Sequence, residues 1–389
     1  MGKNKHIYVF FIIILIISCT KNKFKKIDNI KLKFINKIQP TSQKKISHLS
    51  KYAISNKGNI YIYDETVGKI FLFDKEGNLL SSFGSPGKGP GEFLDVVSLI
   101  PLNNSIVTID FDKRSLIKYN DDGDFIYETN CDLKYLQNSI YYKKNIICWF
   151  RTWFSKNDNY YEKRGIGIFS DSLIIQYCID SKTEIFNPRI INPNKIASVL
   201  DLDINNGNIA CSEIDSKKFK IFIFNLKTKK LIKKIYLNLN PIKYSKREYK
   251  NLSKYYQNKM ELKNLKGKYS LKKIEKKKRL IKGLSFDNYS NLWVLTNSLE
   301  GDKLYIFDKS FNVKGYIKVN KFGKIFIIQN ILINVYENDD NFIFEIYKII
   351  KDHVLKIGAK VERKKPCYSR CVKKPERRTT WQRTRILKN

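Results

Sequence analysis

Apolar and polar residues alternate along this chain in one recurring phrase, three short runs parted by turns. The clearest copy is Gly58-Asn59-Ile60-Tyr61-Ile62-Tyr63-Asp64, then Lys69-Ile70-Phe71-Leu72-Phe73-Asp74, then Glu76-Gly77-Asn78-Leu79-Leu80. Short runs rich in β-branched and aromatic residues, bounded by Gly, Asn and Asp, predict strands joined by tight reversals, that is, an antiparallel meander. The same grammar returns at 105–126, at 207–232 and at 291–316.

Spacing decides what the copies build. Asn59 to Ser105 is 46 residues, Ser105 to Asn145 is 40 and Asn291 to Asn330 is 39. Such intervals match four-stranded propeller blades of about 40 to 50 residues. Two intervals are longer, 63 residues from Asn145 to Asn208 and 83 from Asn208 to Asn291. The longer one holds a Lys-rich stretch, 243–282, with helical apolar spacing at Leu252, Tyr255, Tyr256 and Met260; removing it restores the period. Starts near 50, 94, 140, 200, 284 and 325 then predict an all-β fold: a six-bladed β-propeller of four-stranded antiparallel blades over 31–350, with a helical insertion before the fifth blade. An early strand at 31–38 is available to complete the last blade, and closure of that kind removes sheet edges.

Two segments carry a family resemblance. Phe83-Gly84-Ser85-Pro86-Gly87-Lys88-Gly89-Pro90-Gly91-Glu92-Phe93 resembles the Gly-rich junction of bacterial six-bladed β-propeller lipoproteins, related to NHL-repeat propellers. The stretch 284–294, containing Asp287-Asn288-Tyr289-Ser290-Asn291-Leu292-Trp293-Val294, is similar to that family's D-x-x-G-N-L-W-V motif, with Ser290 in place of Gly. The resemblance implies a fold and an exported location, and no particular reaction. The glycines at 87, 89 and 91 lack the Gly-Lys-Ser/Thr ending of a phosphate-binding loop, and a strand rather than a helix is predicted after them. They read as a blade-to-blade loop, where Gly supplies positive φ and Pro fixes the turn.

The first residues follow a different pattern. A basic start (Met1-Gly2-Lys3-Asn4-Lys5-His6) precedes an unbroken apolar run from Ile7 to Ile17, too short to span a bilayer, and then Ser18-Cys19. We expect 1–18 to be a signal peptide. Ile16-Ile17-Ser18-Cys19 resembles the lipobox of bacterial lipoproteins, which implies that Cys19 is the lipidated first residue of an exported protein held in the cell envelope, with 19–30 a basic tether beside the membrane.

Composition narrows the function. The chain is 389 residues, 42% hydrophobic and 13% aromatic, enough to build a large core despite a net charge of +37. Only 12 of the 74 basic residues are Arg, and the Lys is dispersed, which argues against specific nucleic-acid recognition. With three His (His6, His48, His353), a His-rich metal site or a His-based relay has almost no material. No metal site, cofactor or catalytic residue is assigned. Cys131, Cys148, Cys178, Cys211, Cys367 and Cys371 are able to pair after export or to stay buried thiols. The tail 351–389 carries half of all Arg, shows no strand or helix period, and is expected to be disordered.

One strand suggests a ligand contact. In Ile147-Cys148-Trp149-Phe150-Arg151-Thr152-Trp153-Phe154, alternation puts Trp149, Arg151 and Trp153 on one face, where two indoles and a guanidinium would stack a sugar or hold an anion. The competing role is packing between blades, with Arg151 paired to a carboxylate. Asp110, Asp112 and Arg114 pose the same choice between the channel and loop ion pairs. The expected function is a membrane-anchored module that binds a glycan, a peptide or a protein partner at one mouth of the channel. The alternative is a propeller enzyme, a lyase or hydrolase acting on sugars or peptides there.

Overall fold

The computed structural model describes residues 25–28, 30–38, 51–130, 136–170, 175–185, 190–191, 202–212, 219–239, 242–262, 270–271, 273–274, 276, 278, 280–297, 301–320, 322–338 and 341–351. The expected leader, Cys19, the Arg-rich tail, Cys131, Cys367 and Cys371 lie outside them. Six four-stranded antiparallel sheets occupy 51–83, 96–130, 136–185, 202–237, 281–319 and 324–351, the last completed by Ile30–Ile38. We number these blades 1 to 6. The fold is a six-bladed β-propeller.

Alternation along each strand explains why the blades stack in a ring. Successive side chains point to opposite faces of a sheet, and here both faces are covered by neighbouring blades. In blade 1, Ile60 and Ile62 join an apolar cluster shared with blade 6, while Tyr61 and Tyr63 join one shared with blade 2. In blade 5, Leu292 and Val294 face blade 4, whereas Trp293 and Leu295 face blade 6. The core is accordingly divided into six clusters, one at each blade interface. Strand Ile30–Ile38 pairs antiparallel with Asn341–Lys351 and closes the ring. The residues before it reach back to blade 5, where Ile27 N–H donates to Tyr316 O at 2.9 Å and Tyr316 N–H donates to Lys25 O at 3.2 Å.

The Gly-rich junction between blades 1 and 2 is filled by the chain's own groups. Glu92 Oε2 accepts the Gly89 N–H at 2.6 Å, and Lys113 Nζ donates to Gly89 O at 2.9 Å, to Glu92 O at 3.0 Å and to Glu128 at 2.8 Å. Gly84 sits at φ +78°, and a Cβ there would overlap the Phe93 ring, which is buried between the two blades. The loop runs directly into strand Val96–Pro101, as the sequence predicts. Among the described residues of the insertion, Lys246–Leu262 is the helical part. Its start is a capping box, in which Glu248 N–H donates to Ser245 Oγ at 3.2 Å and Ser245 N–H donates to Glu248 Oε2 at 2.8 Å. Past the helix, Ser270–Leu271 pairs in parallel with Ile190–Ile191. Among the described residues no helix is long and apolar enough to cross a membrane.

Candidate functional site: the central channel

The first strand of each blade pairs on one side only, so its other edge, with its backbone donors and acceptors, is turned to the axis. Residues from all six first strands enclose a single cavity of about 230 Å³. Asn138 and Ser139 of blade 3, Asp203 and Asn205 of blade 4, Ser285 of blade 5 and Lys324 of blade 6 supply polar side chains to its wall, among apolar ones such as Leu99 and Phe326.

Asp203 is the hub of this wall. Ser285 Oγ donates to Asp203 Oδ2 at 2.8 Å and itself accepts the Ile327 N–H at 2.9 Å, so one relay links blades 6, 5 and 4. Phe286 N–H donates to the same Oδ2 at 2.6 Å, and Ile204 N–H to Oδ1 at 2.7 Å. Burial pushes the carboxyl up to about 6, outweighing the three donors that favour its charged form. Lys324 Nζ donates to Asn138 Oδ1. Blades 3 and 6 stand opposite each other in a ring of six, so this side chain crosses the channel. The ammonium also lies 5.1 Å from the centroid of the Phe326 ring. At the other strand ends, Asn56 Nδ2 donates to Tyr141 O at 2.6 Å and Asn205 Nδ2 to Asp287 O at 2.9 Å.

A carboxyl whose folded-state value is raised favours the fold in its protonated form. Its contribution is therefore fully present below the unfolded value near 4 and is lost as pH rises to about 6. Asp203→Asn keeps an acceptor for Ser285 and Phe286, loses the one for the Ile204 N–H and cannot ionise. We expect it to lower stability by about 1 kcal/mol at pH 4 and to raise it by about 2 kcal/mol at pH 7, read as melting curves across that range. Equal effects at both pH values would show that burial does not raise the Asp203 carboxyl above its unfolded value.

The residues singled out from the sequence lie elsewhere. Trp149 is 3% exposed, in the apolar cluster between blades 3 and 4. On the same face of strand Asn145–Lys156, Arg151 pairs with the buried Glu162, and its guanidinium lies 5.0 Å from the Trp153 ring centroid. None of the three lines the channel. Asp110, buried, accepts the amides of Leu94 (2.7 Å), Asp95 (3.2 Å) and Lys113 (2.9 Å) and shapes a loop. Cys148, Cys178 and Cys211 are not joined in a disulfide; the first and last are buried, and the Cys211 thiol donates to Phe222 O at 3.7 Å. Among the described residues, no three His, Cys, Asp or Glu side chains gather as a metal set. Asp203 and Ser285 were missed by sequence reasoning because each is a polar position flanked by apolar ones in its strand. That interruption, at Leu202-Asp203-Ile204 and Leu284-Ser285-Phe286, is the signal that would have found them.

Residues 3–196 match a family model described as a 6-bladed beta-propeller. Several solved structures are similar to the chain at low identity. One from Bacteroides fragilis, described as a candidate exported protein, is 16% identical, with a TM-score of 0.48 over 84% of this chain and 98% of its own. A member of the duf4221 family from Bacteroides vulgatus is 11% identical, with a TM-score of 0.44 over 82% of this chain and 98% of its own. A virginiamycin B lyase from Staphylococcus aureus is 13% identical, with a TM-score of 0.38 over 84% and 90%. No curated protein matches the chain.

Proposed function

We propose that this six-bladed β-propeller is an exported protein, anchored to a membrane through a lipid on Cys19, that binds a small polar ligand, a glycan or a segment of peptide or protein, in its central channel. The observation that carries the binding reading is the convergence of six strand edges on one polar cavity of about 230 Å³, spanned by Lys324 and faced by Asp203. Concave sites with a few fixed polar groups on a rigid frame are the usual form of small-ligand pockets. The basic start, apolar run and Ser18-Cys19 support export and anchoring. Arg151 and Trp153 offer a further contact to a ligand that extends onto blade 3.

A thermal-shift panel of glycans, peptides, divalent metals and polyanions at two salt concentrations tests the reading. A ligand bound only by the fold raises apparent stability by mass action. We expect a salt-resistant shift with one glycan or peptide class, lost in Lys324→Met and retained in Arg247→Met on the remote helix. A panel without any shift, in a chain that melts cooperatively, would overturn the channel as a small-ligand site. A shift with polyanions alone that vanishes at high salt would mark non-specific attraction to the net positive charge.

A further inference from the structure

The outermost strands of the blades divide the molecule into two halves of different charge. In blades 4, 5 and 6 they read KLIKKIYL (Lys230–Leu237), VKGYIKV (Val313–Val319) and IKLKFINKI (Ile30–Ile38), with eight lysines and no acid. In blades 1, 2 and 3 they read LLSSF (Leu79–Phe83), FIYETN (Phe125–Asn130) and IQYCIDSKTEI (Ile175–Ile185), with one lysine and three acids. Lys31, Lys33, Lys230, Lys234, Lys314 and Lys318 are all exposed. Composition alone does not produce this contrast, because lysine is dispersed through the whole chain. Exposed apolar side chains lie among these lysines: Phe34 is 52% exposed, Ile232 50% and Tyr236 58%. Similar apolar exposure on blades 1 and 2 lacks the lysines, so charge and not hydrophobicity distinguishes the two halves.

The same half holds the start of the described chain. Residues 25–27 are hydrogen-bonded to the outer strand of blade 5, and 30–38 form that of blade 6. Cys19 precedes Lys25 by six residues, which span at most about 21 Å when fully extended. We propose that the rim of blades 4 to 6 is a docking face for an anionic lipid surface, so that the propeller stands edge-on to the membrane with both mouths of its channel clear of the bilayer. Charge complementarity selects this occupant, since basic clusters close to an anchored segment are drawn to anionic headgroups within a Debye length of the surface. The orientation rests on the lipid-anchor reading of Cys19, whereas the rim's attraction to anionic lipid does not.

The two are tested separately. The mass of the N-terminal peptide of the protein purified from membranes reports acylation of Cys19 alone. For the rim, full-length Cys19→Ala protein is sedimented with vesicles of phosphatidylcholine, with or without phosphatidylglycerol, and the difference between the two vesicle types is the readout. We expect stronger binding to the phosphatidylglycerol vesicles, falling at least tenfold on charge reversal at four rim positions (K230E, K234E, K314E, K318E). Reversal at four positions on blades 1 to 3 (K57E, K88E, K143E, K144E) should change it less than twofold. Melting curves confirm that both variants fold, and hydrogen exchange of the parent protein should slow on 30–38, 230–237 and 313–319 when phosphatidylglycerol is present. Equal losses in the two variants, no preference for phosphatidylglycerol, or protection confined to blades 1 to 3 would overturn the proposal.

Discussion

A chain lacking residues 25–38 is expected to lose its cooperative melting transition. The deletion removes the outer strand of blade 6, leaves one edge of Asn341–Lys351 unpaired from Phe344 to Lys351, and takes Ile38 out of the cluster between blades 6 and 1 and Leu32 out of that between blades 5 and 6. It also leaves a bare sheet edge on a ring whose stability depends on every blade having two covered faces. The loss should exceed about 5 kcal/mol, comparable to the whole stability of many domains. Circular dichroism and a thermal scan would show it, and a sharp transition within a few degrees of the parent's would rule out ring closure as a main source of stability. Because such a chain would be prone to aggregate, the converse change is the stronger test. Lys33 and Lys348 are directly opposed across the closing pair and both exposed, a like-charge contact that weakens the pairing. Replacing both by Cys and oxidising them closes a loop of roughly 300 residues, for which chain entropy predicts up to about 5 kcal/mol and engineered bridges commonly give about 2 to 4. Reduction should return the melting temperature to the parent value.

Much of this architecture was legible because a propeller blade buries both faces. Runs such as Ile60-Tyr61-Ile62-Tyr63 are then apolar without interruption, and only the turns between them are polar. Those turns share one construction. Asp74 Oδ1 accepts the amides of Glu76 (2.9 Å) and Asn78 (2.8 Å), and Asp308 Oδ1 accepts those of Ser310 and Asn312 at 2.9 Å. The position before the Asn is Gly77 at φ +90° in one and Phe311 at φ +62° in the other, so Gly is preferred and not required. Blade starts expected near 50, 94, 200, 284 and 325 fall at 51, 96, 202, 281 and 324. The third, expected near 140, begins at 136, and its blade is long because its middle strands run 12 and 11 residues. Their reversal uses Asn157 and Asp158 at φ +48° and +58° and offers no Gly to mark it.

The site was far less legible. Asp203 and Ser285 are 82 residues apart, and Asn138 and Lys324 are 186 apart. Nothing local to any of these positions says that the ring brings them together. The Trp149 strand shows the complementary limit. Alternation correctly put Trp149, Arg151 and Trp153 on one face, yet whether a blade face meets a ligand or the next blade depends on ring position, which alternation does not encode. Trp149 shares its apolar cluster with Ile209 and Leu202 of blade 4 because blade 4 is where the chain goes next.

Trp293→Ala is expected to be the most damaging single substitution, at about 3 to 5 kcal/mol, or roughly five to seven degrees of melting temperature in a domain of this size. Trp293 is fully buried between blades 5 and 6, and its indole N–H donates to Asp287 Oδ2 at 3.1 Å. The same Asp287 oxygen accepts Asn291 Nδ2 at 2.8 Å, while Oδ1 accepts the amides of Tyr289 and Asn291 at 2.9 Å. The Asp, the Asn and the Trp of this segment therefore form one hydrogen-bonded unit, in which the turn positions the acceptor and the Trp fills the interface. Trp293→Phe keeps most of the buried surface and abandons the hydrogen bond, so it should cost about 1 to 2 kcal/mol. Asp287→Ala leaves the indole N–H and the Asn291 amide buried without that acceptor, and should cost about 2 to 4 kcal/mol. Asp74→Ala disturbs a turn of the same construction with no Trp attached, and should cost about 1 kcal/mol. Since Asp287 and Trp293 share one bond, the double variant Asp287→Ala/Trp293→Phe should cost less than its two single changes added together. Denaturant titration of the four single variants and the double variant measures these differences, and strict additivity, or equal costs at Asp74 and Asp287, would show that the indole bond contributes nothing to the blade interface.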